Sequence, residues 1–141
     1  MRQSDVRHRA TLYFIRNGEL LLIHRYREGR EYFTIIGGGV EAGETAVSAA
    51  IREGKEETGM NFELGELLWE RPFADQYEHA FLVTTFSGTP TLGGPEMLKQ
   101  SATNRYLLEW HPLNNLPDTI IFQPTPAQLR QIAASIASSP L

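Results

Sequence analysis

A cluster of three glycines, Gly37–Gly39, separates a run of aromatic and β-branched residues from a long helical pattern near the middle of the chain. The run at 32–36 predicts a strand, and the residues at 44–58 predict a helix. Gly59 follows the helical pattern directly, where a glycine commonly forms the C-terminal cap. The centre of the chain is therefore a strand, a glycine loop and a helix, and the remaining residues must supply the sheet on which that helix packs.

Short strand-like runs, separated by turn residues, occupy most of the remaining chain. Asn17-Gly18 indicates a hairpin, because both residue types tolerate positive φ. A second helix is predicted where Leu129, Ile132, Ala133 and Ile136 recur at helical spacing. This pattern favours an α+β fold with helices on a mixed β-sheet, in one domain spanning residues 1–141. The predicted strands are 9–15, 20–23, 32–36, 62–69, 79–86 and 106–110, and the predicted helices are 44–58 and 124–138.

The composition indicates a soluble globular protein of one domain. The 141 residues are 41% hydrophobic and 21% charged, which is ordinary for such proteins. No apolar run approaches the roughly 20 residues that cross a bilayer, and the first ten residues lack the features of a secretory signal. Cysteine is absent, which excludes disulfides and thiolate metal sites. We therefore expect a cytoplasmic protein that does not associate with membranes.

The net charge of −4 argues against a nucleic-acid partner, since such proteins normally carry a basic face that neutralises phosphates. It does not argue against a small phosphorylated ligand. A divalent cation and a few local basic groups are enough to hold one.

Three glutamates provide the strongest chemical indication in the sequence. Glu53, Glu56 and Glu57 stand at positions i, i+3 and i+4 of the predicted helix, so all three project from one side within about one turn. Carboxylates at such short separation repel one another unless a positive charge lies between them. Mg²⁺ is the expected neutraliser, because it prefers carboxylate and phosphate oxygens.

The other helix positions predict how the helix packs. Ala46 and Ala49 share the sector of the glutamates and should leave room there for ions and substrate. Glu44 should open the helix, where the exposed amides favour a carboxylate. Arg52 is expected to lie apart from the carboxylate face and to pair with acids. The predicted core-facing residues are Val47, Ala50 and Ile51.

Taken alone, residues 52–57 would be an ordinary solvated helix end. The whole segment 38–60, however, resembles the box of the Nudix hydrolase family, written G-x5-E-x7-R-E-U-x-E-E-x-G-U with U a bulky aliphatic residue. Gly54 departs from it, standing where the family usually has an aliphatic residue, and a glycine inside a helix costs about 1 kcal/mol against alanine. The eight matching positions are Gly38, Glu44, Arg52, Glu53, Glu56, Glu57, Gly59 and Met60.

The resemblance implies the Nudix fold, an α/β/α sandwich with a mixed β-sheet, over nearly the whole chain. It implies metal-dependent hydrolysis of a diphosphate linkage in a nucleoside diphosphate derivative, with Mg²⁺ or alternatively Mn²⁺ as cofactor. In such proteins Glu44 and Arg52 pair to brace the site. A homodimer is common in the family. The implied metal ligands are the Gly38 carbonyl, Glu53, Glu56 and Glu57.

The alternative within the same resemblance is a catalytically silent domain that acts as a nucleotide sensor or interaction module. Loss of box carboxylates usually accompanies silence, and here all three are present. A second alternative is a dinucleotide-binding loop, because residues 37–42 satisfy G-x-G-x-x-A. The chain is small for that fold, and no parallel strand ending in a ribose-binding acid follows where one is expected.

Residues outside the box give weaker indications. Glu96 is the candidate late general base, although it would otherwise be a plain surface acid. Arg25 and Arg27 are candidate phosphate partners or else a solvated pair. Tyr77 lies 18 residues beyond Gly59, a spacing that relatives acting on diadenosine polyphosphates share. Core or surface roles are expected for the histidines, which lack metal-ligand spacing: His8, His24, His79 and His111.

Overall fold

The computed structural model describes residues 6–91 and 101–137, which form a curled mixed β-sheet with one helix on each face. The expected architecture is therefore confirmed. The helices are α1 (Ala46–Thr58) and α2 (Pro126–Ala137). The strands are β1 (Arg7–Arg16), β2 (Glu19–Arg27), β3 (Arg30–Ile35), β4 (Gly37–Gly39), β5 (Asn61–Glu63), β6 (Leu67–Phe73), β7 (Gln76–Val83), β8 (Thr85–Ser87), β9 (Asn104–Pro112) and β10 (Ile120–Ile121).

Strand β1 lies in the middle of the sheet and pairs with three other strands. It pairs in parallel with β7, and it pairs antiparallel with β4 through residues 9–11 and with β2 through residues 15–16. The order across the described sheet is β10-β3-β2-β1-β7-β6, with β4 beside β1, β9 beside β2, and a separate β5–β8 ribbon. The glycine cluster is consequently a short strand paired with β1 and not a free loop. This pairing fixes the backbone that leads into α1.

Both faces of β1 are buried, which is unusual for a strand with alternating residue types. Ala10, Leu12 and Phe14 pack in the layer under α1. Tyr13 and Ile15 pack in the opposite layer, which α2 covers through Ile132 and Ile136. Successive side chains of a strand point to opposite faces, so the two helices enclose a sheet that is dry on both sides over its centre.

Helix α1 begins two residues later than predicted and ends where predicted. Thr45 is the N-cap, and its hydroxyl and the Ser48 backbone and side chain form a reciprocal capping box. Gly59 closes the helix in the left-handed conformation with φ 66°. Glu44 therefore precedes the helix and does not open it, because the threonine hydroxyl already satisfies the first amide groups.

The packing faces predicted for α1 are partly wrong. Val47 and Ile51 are 48% and 38% exposed, whereas Ala50 is buried as expected. Ala49 is fully buried and leaves no room for a ligand, whereas Ala46 is half-buried and packs against the core. The reason is that one stripe of α1 faces the sheet along its whole length. Its first half presents alanines to the core, and its second half presents the glutamates to β4.

Two predicted strands are each broken in two. The strand predicted at 62–69 divides into β5 and β6 around Gly65, whose N–H donates to the Leu82 carbonyl at 2.8 Å. A Cβ on Gly65 would lie 2.3 Å from that oxygen. The strand predicted at 79–86 divides into β7 and β8. The Asn17-Gly18 hairpin is confirmed, with φ of 53° and 75°. Within the described ranges, no helix is long and apolar enough to cross a membrane.

Candidate active site

Strand β4 lies directly against the C-terminal half of α1. The Gly37 N–H donates to Glu57 Oε1 at 2.7 Å. A Cβ on Gly38 would lie 2.4 Å from the Glu53 carboxyl carbon. On the other side of the strand, a Cβ on Gly37, whose φ is 150°, would lie 2.1 Å from the Ala10 carbonyl oxygen. The missing side chains therefore let the box helix and β1 approach the same three residues from opposite sides.

Arg52 is the centre of the hydrogen-bond network at this contact. Its Nε and Nη2 donate to the two Glu44 carboxylate oxygens at 2.8 and 2.9 Å. Its Nη1 donates to Glu53 Oε1 at 2.8 Å, and its Nη2 also donates to the Gly39 carbonyl at 3.0 Å. Glu56 Oε2 lies 3.6 Å from Nη1. The expectation that Arg52 lies apart from the carboxylate face is wrong, because the long side chain curls back over Glu53.

The charges of this network are strongly coupled. The hydrogen bond from Arg52, followed by one from the Glu41 backbone N–H, lowers the pKa of Glu44 to about 2. Glu44 reciprocally raises the pKa of Arg52 above its ordinary value, although burial opposes this. Both groups are therefore ionised throughout the neutral range. The pair fixes the segment before α1 to the helix, in the geometry that a bracing role requires.

The three box carboxylates lie on one side of α1 but differ in exposure. Glu57 is 4% exposed, while the side chains of Glu53 and Glu56 are 13% and 38% exposed. Residues 6–91 and 101–137 contain no preformed group of three acidic or histidine side chains around a common point. Mg²⁺ does not need one, since it usually binds through one or two carboxylates and completes its shell with waters and substrate phosphates. The oxygen donors present here fit such an ion.

An arginine that the sequence did not single out, Arg9, lies half-buried behind the box. Burial lowers the pKa of Arg9, and the charges of Glu57, Glu78 and Glu53 act in the opposite direction. Its Nη2 donates to the Ile35 carbonyl at 3.1 Å. Period-two alternation places such a residue on a solvent face, so only the knowledge that both faces of β1 are covered could have identified Arg9 as half-buried.

Arg9 belongs to a buried polar cluster on the α2 side of the sheet. Glu78 is fully buried, and its Oε1 accepts hydrogen bonds from Trp69 Nε1 at 2.9 Å and Arg71 Nε at 2.7 Å. Burial and the Glu78 charge raise the pKa of Tyr13 well above its ordinary value. Four buried polar side-chain atoms of this cluster have no hydrogen-bond partner among the described residues: Arg9 Nε, Thr11 Oγ1, Tyr13 Oη and Glu78 Oε2.

The two candidate arginines outside the box make their contacts with other residues than the box acids. The Arg25 guanidinium stacks 3.6 Å from the centre of the Tyr106 ring and donates to Asn104 Oδ1 at 2.8 Å. Arg27 is exposed at the end of the β2–β3 hairpin. Within the described segments neither arginine forms an ion pair with Glu53, Glu56 or Glu57. Glu96 lies outside the described residues.

The histidines form two hydrogen-bonded groups that the sequence did not predict. Buried His24 contacts Glu109 through Nδ1 at 2.8 Å and Glu31 through Nε2 at 3.0 Å, and His111 Nε2 lies 2.9 Å from Glu109. Burial raises the pKa of Glu109, but the hydrogen bonds from the two histidines leave it below its ordinary value. His8 and His79 form the second group, beside α1. Partners so distant in sequence have no local pattern that could reveal them.

Comparison with known proteins agrees with this architecture. A family model described as the NUDIX domain matches residues 6–132. The MutT NUDIX hydrolase of Burkholderia pseudomallei is 28% identical with a TM-score of 0.67, and the match covers 89% of this chain and 97% of that one.

Two more distant structures share the fold. An ADP-ribose pyrophosphatase of Streptococcus suis is 15% identical with a TM-score of 0.68, covering 95% of this chain and 94% of that one. A NUDIX hydrolase of Nitrosomonas europaea is 19% identical with a TM-score of 0.70, covering 99% and 77%. Because the family model spans most of the sequence, including β4 and α1, this chain belongs to the NUDIX domain family.

Proposed function

We propose that this protein is a Mg²⁺-dependent hydrolase that cleaves a diphosphate linkage in a nucleoside diphosphate derivative. Membership of the NUDIX family supports a hydrolase of pyrophosphate bonds. The observation that carries the proposal is the placement of Glu53 and Glu57 against the glycine strand, with Glu56 beside the Arg52 guanidinium that donates to Glu53. That arrangement concentrates oxygen donors at one end of a rigid helix.

The chemical difficulty is that the phosphate oxygens repel an incoming nucleophile. A bound divalent ion would screen that charge and lower the pKa of a bound water. In our proposal the Gly38 carbonyl, Glu53, Glu56 and Glu57 hold the ion. Glu57 is tethered by the Gly37 amide, and Glu53 is held by Arg52. These bonds keep the carboxylates in place between turnovers, so little reorganisation accompanies each reaction.

Other residues have supporting roles in the proposal. Glu44 and Arg52 position the segment between β4 and α1, and their bidentate pair is the contact that supports this role. Glu96 is the candidate general base that takes the proton of the attacking water. Arg25 is a better candidate than Arg27 for a phosphate partner, because Tyr106 and Asn104 restrain its guanidinium. Its aromatic contact also lowers the entropy lost when it binds an anion.

The test is Mg²⁺-dependent phosphate release from a panel of nucleoside triphosphates, nucleotide sugars and dinucleoside polyphosphates. Glu57→Gln retains an oxygen that accepts the Gly37 N–H, so we expect a folded protein. Its activity should fall by more than about 100-fold, because metal-bound charge stabilisation contributes several kcal/mol. Glu63→Gln removes an exposed acid from β5 and is the matched control.

The outcomes separate a hydrolase from a silent member of the family. Full activity of Glu57→Gln would contradict the assignment of the metal ligands. Complete inactivity of the unmodified protein across the panel would favour a nucleotide sensor. A similar loss in Glu96→Gln, with Mg²⁺ affinity unchanged, would support Glu96 as the base.

A further inference from the structure

The turn end of the β2–β3 hairpin and the start of β9 carry a set of arginine and tyrosine side chains on one face of the sheet. Residues that are registered on neighbouring strands, and residues two apart on one strand, point to the same face. Two rows of registered residues cross β3, β2 and β9 in this way. We call them the arginine–tyrosine face: Tyr32, Arg25 and Tyr106 in the first row, and Arg30, Arg27 and Asn104 in the second.

The contacts of Arg25 agree with this shared face. Its guanidinium lies 3.6 Å from the centre of the Tyr106 ring and 5.6 Å from that of Tyr32, and its Nη2 donates to Asn104 Oδ1 at 2.8 Å. The Arg30 guanidinium lies 5.5 Å from the centre of the same Tyr32 ring. Tyr106 is buried, whereas Tyr32 is half-buried. Of the two rings, Tyr32 is therefore the one that a ligand can reach.

Arg27 and Arg30 stand directly opposite each other across a two-residue turn. The turn residues Glu28 and Gly29 have φ of 49° and 80°, as in a type I′ turn, which holds the two exposed arginines side by side. Like charges directly opposite on neighbouring strands destabilise a hairpin. Over residues 6–91 and 101–137, neither of them nor Arg25 forms an ion pair. The hairpin therefore concentrates positive charge without a carboxylate partner from the described residues.

The acids close to this end of the hairpin lie in the turn or on the opposite face of the sheet. Glu28 is in the turn itself. Glu31 is registered with Tyr26 and lies 3.0 Å from His24 Nε2, which places it on the opposite face. Arg105 lies on that opposite face too, with its guanidinium 5.6 Å from the centre of the Tyr26 ring. The arginine–tyrosine face itself thus contains three arginines and no acid.

We propose that the arginine–tyrosine face binds single-stranded nucleic acid. Arg25 and Arg27 are two residues apart on one strand, a separation of about 7 Å, so each can contact a different phosphate. A guanidinium binds phosphate through two parallel hydrogen bonds, and a tyrosine ring such as that of Tyr32 stacks on an unpaired base. Paired bases are already stacked on each other, so a sheet face with this composition fits a single strand better than a duplex. The net charge of −4 opposes such binding by the protein as a whole, but phosphate contacts depend on the local charge.

The inference does not rest on the proposed hydrolysis, because binding at this face needs neither a divalent ion nor turnover. The box carboxylates take no part in it. Arg25 is also the candidate phosphate partner of the proposed hydrolysis. The variants that test the face are therefore placed at Arg27, Arg30 and Tyr32.

The test is the fluorescence anisotropy of a labelled oligoadenylate of about ten nucleotides, measured in EDTA between about 50 and about 200 mM salt. We expect a Kd on the order of 10 µM at the lower salt concentration. Each phosphate contact with a single strand contributes about −0.7 to the slope of log K against log salt. Three arginines therefore predict a slope of about −2.

The arginine variants test the phosphate contacts. Arg27→Gln and Arg30→Gln should each weaken binding about three- to tenfold at the lower salt concentration, and each should reduce the slope to about −1.4. Arg27→Lys keeps the charge and should restore the slope of the unmodified protein. Arg105→Gln is the matched control, because it removes an exposed arginine from the opposite face of the same strands.

The tyrosine variants test the stacking of a base. Tyr32→Leu should weaken binding about fivefold or more without changing the slope, since it removes a ring and no charge. Tyr32→Phe keeps the ring and should bind like the unmodified protein. Thermal unfolding of each variant establishes that it is folded. Glu57→Gln should bind oligoadenylate like the unmodified protein.

The proposal is overturned if Arg27→Gln and Arg30→Gln bind oligoadenylate as Arg105→Gln does, or if Tyr32→Leu binds it as Tyr32→Phe does. Equally tight binding of inorganic polyphosphate would assign the face to a bare polyanion, and equally tight binding of duplex RNA would contradict stacking on Tyr32. Either outcome also overturns the proposal. Because every measurement is made without metal, an inactive enzyme would leave these results unaffected, and a failure of oligoadenylate to bind would leave the proposed hydrolysis intact.

Discussion

Replacing Gly54 by alanine should destabilise the protein, although alanine is the better helix former. Gly54 is buried in α1 at the one box position that departs from the family pattern, which usually has an aliphatic residue there. An added Cβ would lie 2.4 Å from Phe62 Cζ, 2.8 Å from its Cε1 and 3.0 Å from Leu12 Cδ2. Phe62 packs edge-on against Phe14, with centroids 5.2 Å apart. The ring of Phe62 therefore occupies the space of the usual side chain and has a neighbour behind it.

The expected magnitude is the difference between two opposing effects. Helix propensity favours alanine over glycine by about 1 kcal/mol. Overpacking a buried contact costs typically about 1–3 kcal/mol. Gly54→Ala should therefore lower the free energy of unfolding by about 1 kcal/mol, with about 2 kcal/mol as an upper value. For a chain of 141 residues this is a fall in Tm of about 3 °C per kcal/mol.

The assay is urea unfolding of a double-mutant cycle with Phe62→Leu, which removes the two clashing ring atoms. In that background Gly54→Ala should become stabilising by up to about 1 kcal/mol, so the coupling energy should reach about 2 kcal/mol. A stabilising Gly54→Ala in the unmodified protein, or a coupling energy near zero, would show that Phe62 does not fill this space. In that case the only effect of glycine at position 54 on the free energy of unfolding would be its lower helix propensity.

Charged groups are the basis of the other predictions. Arg71→Met leaves the fully buried Glu78 without its ion-pair partner and should cost about 3–5 kcal/mol in urea unfolding; a loss below about 1 kcal/mol would contradict this. Because Arg52 lowers the pKa of Glu44 to about 2, the stabilisation from their pair is present above the ordinary glutamate pKa and lost as pH falls through about 2. An NMR titration of the Glu44 carboxyl carbon with its midpoint near the ordinary glutamate value would argue against it. Glu56→Gln should lower Mg²⁺ affinity by calorimetry without changing Tm, since Glu56 is the most exposed of the box carboxylates; a large fall in Tm would show a structural role.

The box could be predicted from the sequence because its members are close in the chain. Helical spacing alone places Glu53, Glu56 and Glu57 within one turn, and the C-terminal limit of α1 follows from Gly59. The pairing of Glu44 with Arg52 follows from the family resemblance. The orientation of the helix about its axis did not follow from the pattern. Small residues such as Ala49 allow close approach to the sheet, whereas a hydrophobicity pattern favours larger ones such as Val47.

The groups outside the box could not be predicted, because tertiary structure brings their members together. His8 and His79 are 71 residues apart, and Glu70 is on a third strand. Arg9 has the alternation of a half-exposed strand, and nothing in that pattern predicts that it lies near the charge of Glu78 on β7. A hydrogen bond between side chains on separate strands depends on register, and register depends on how the whole sheet is paired.

The box carboxylates differ most in how the protein compensates their charge. Glu57 is buried, accepts the Gly37 amide and lies near the Arg9 charge. Glu53 accepts a short hydrogen bond from Arg52, while Glu56 lies 3.6 Å from the same guanidinium. A buried anion must be compensated by the protein, whereas an exposed one can rely on solvent or on an arriving cation. We therefore expect Glu53 and Glu57 to fix the geometry of the proposed metal site, and Glu56 to be the carboxylate that first contacts a divalent ion from solution.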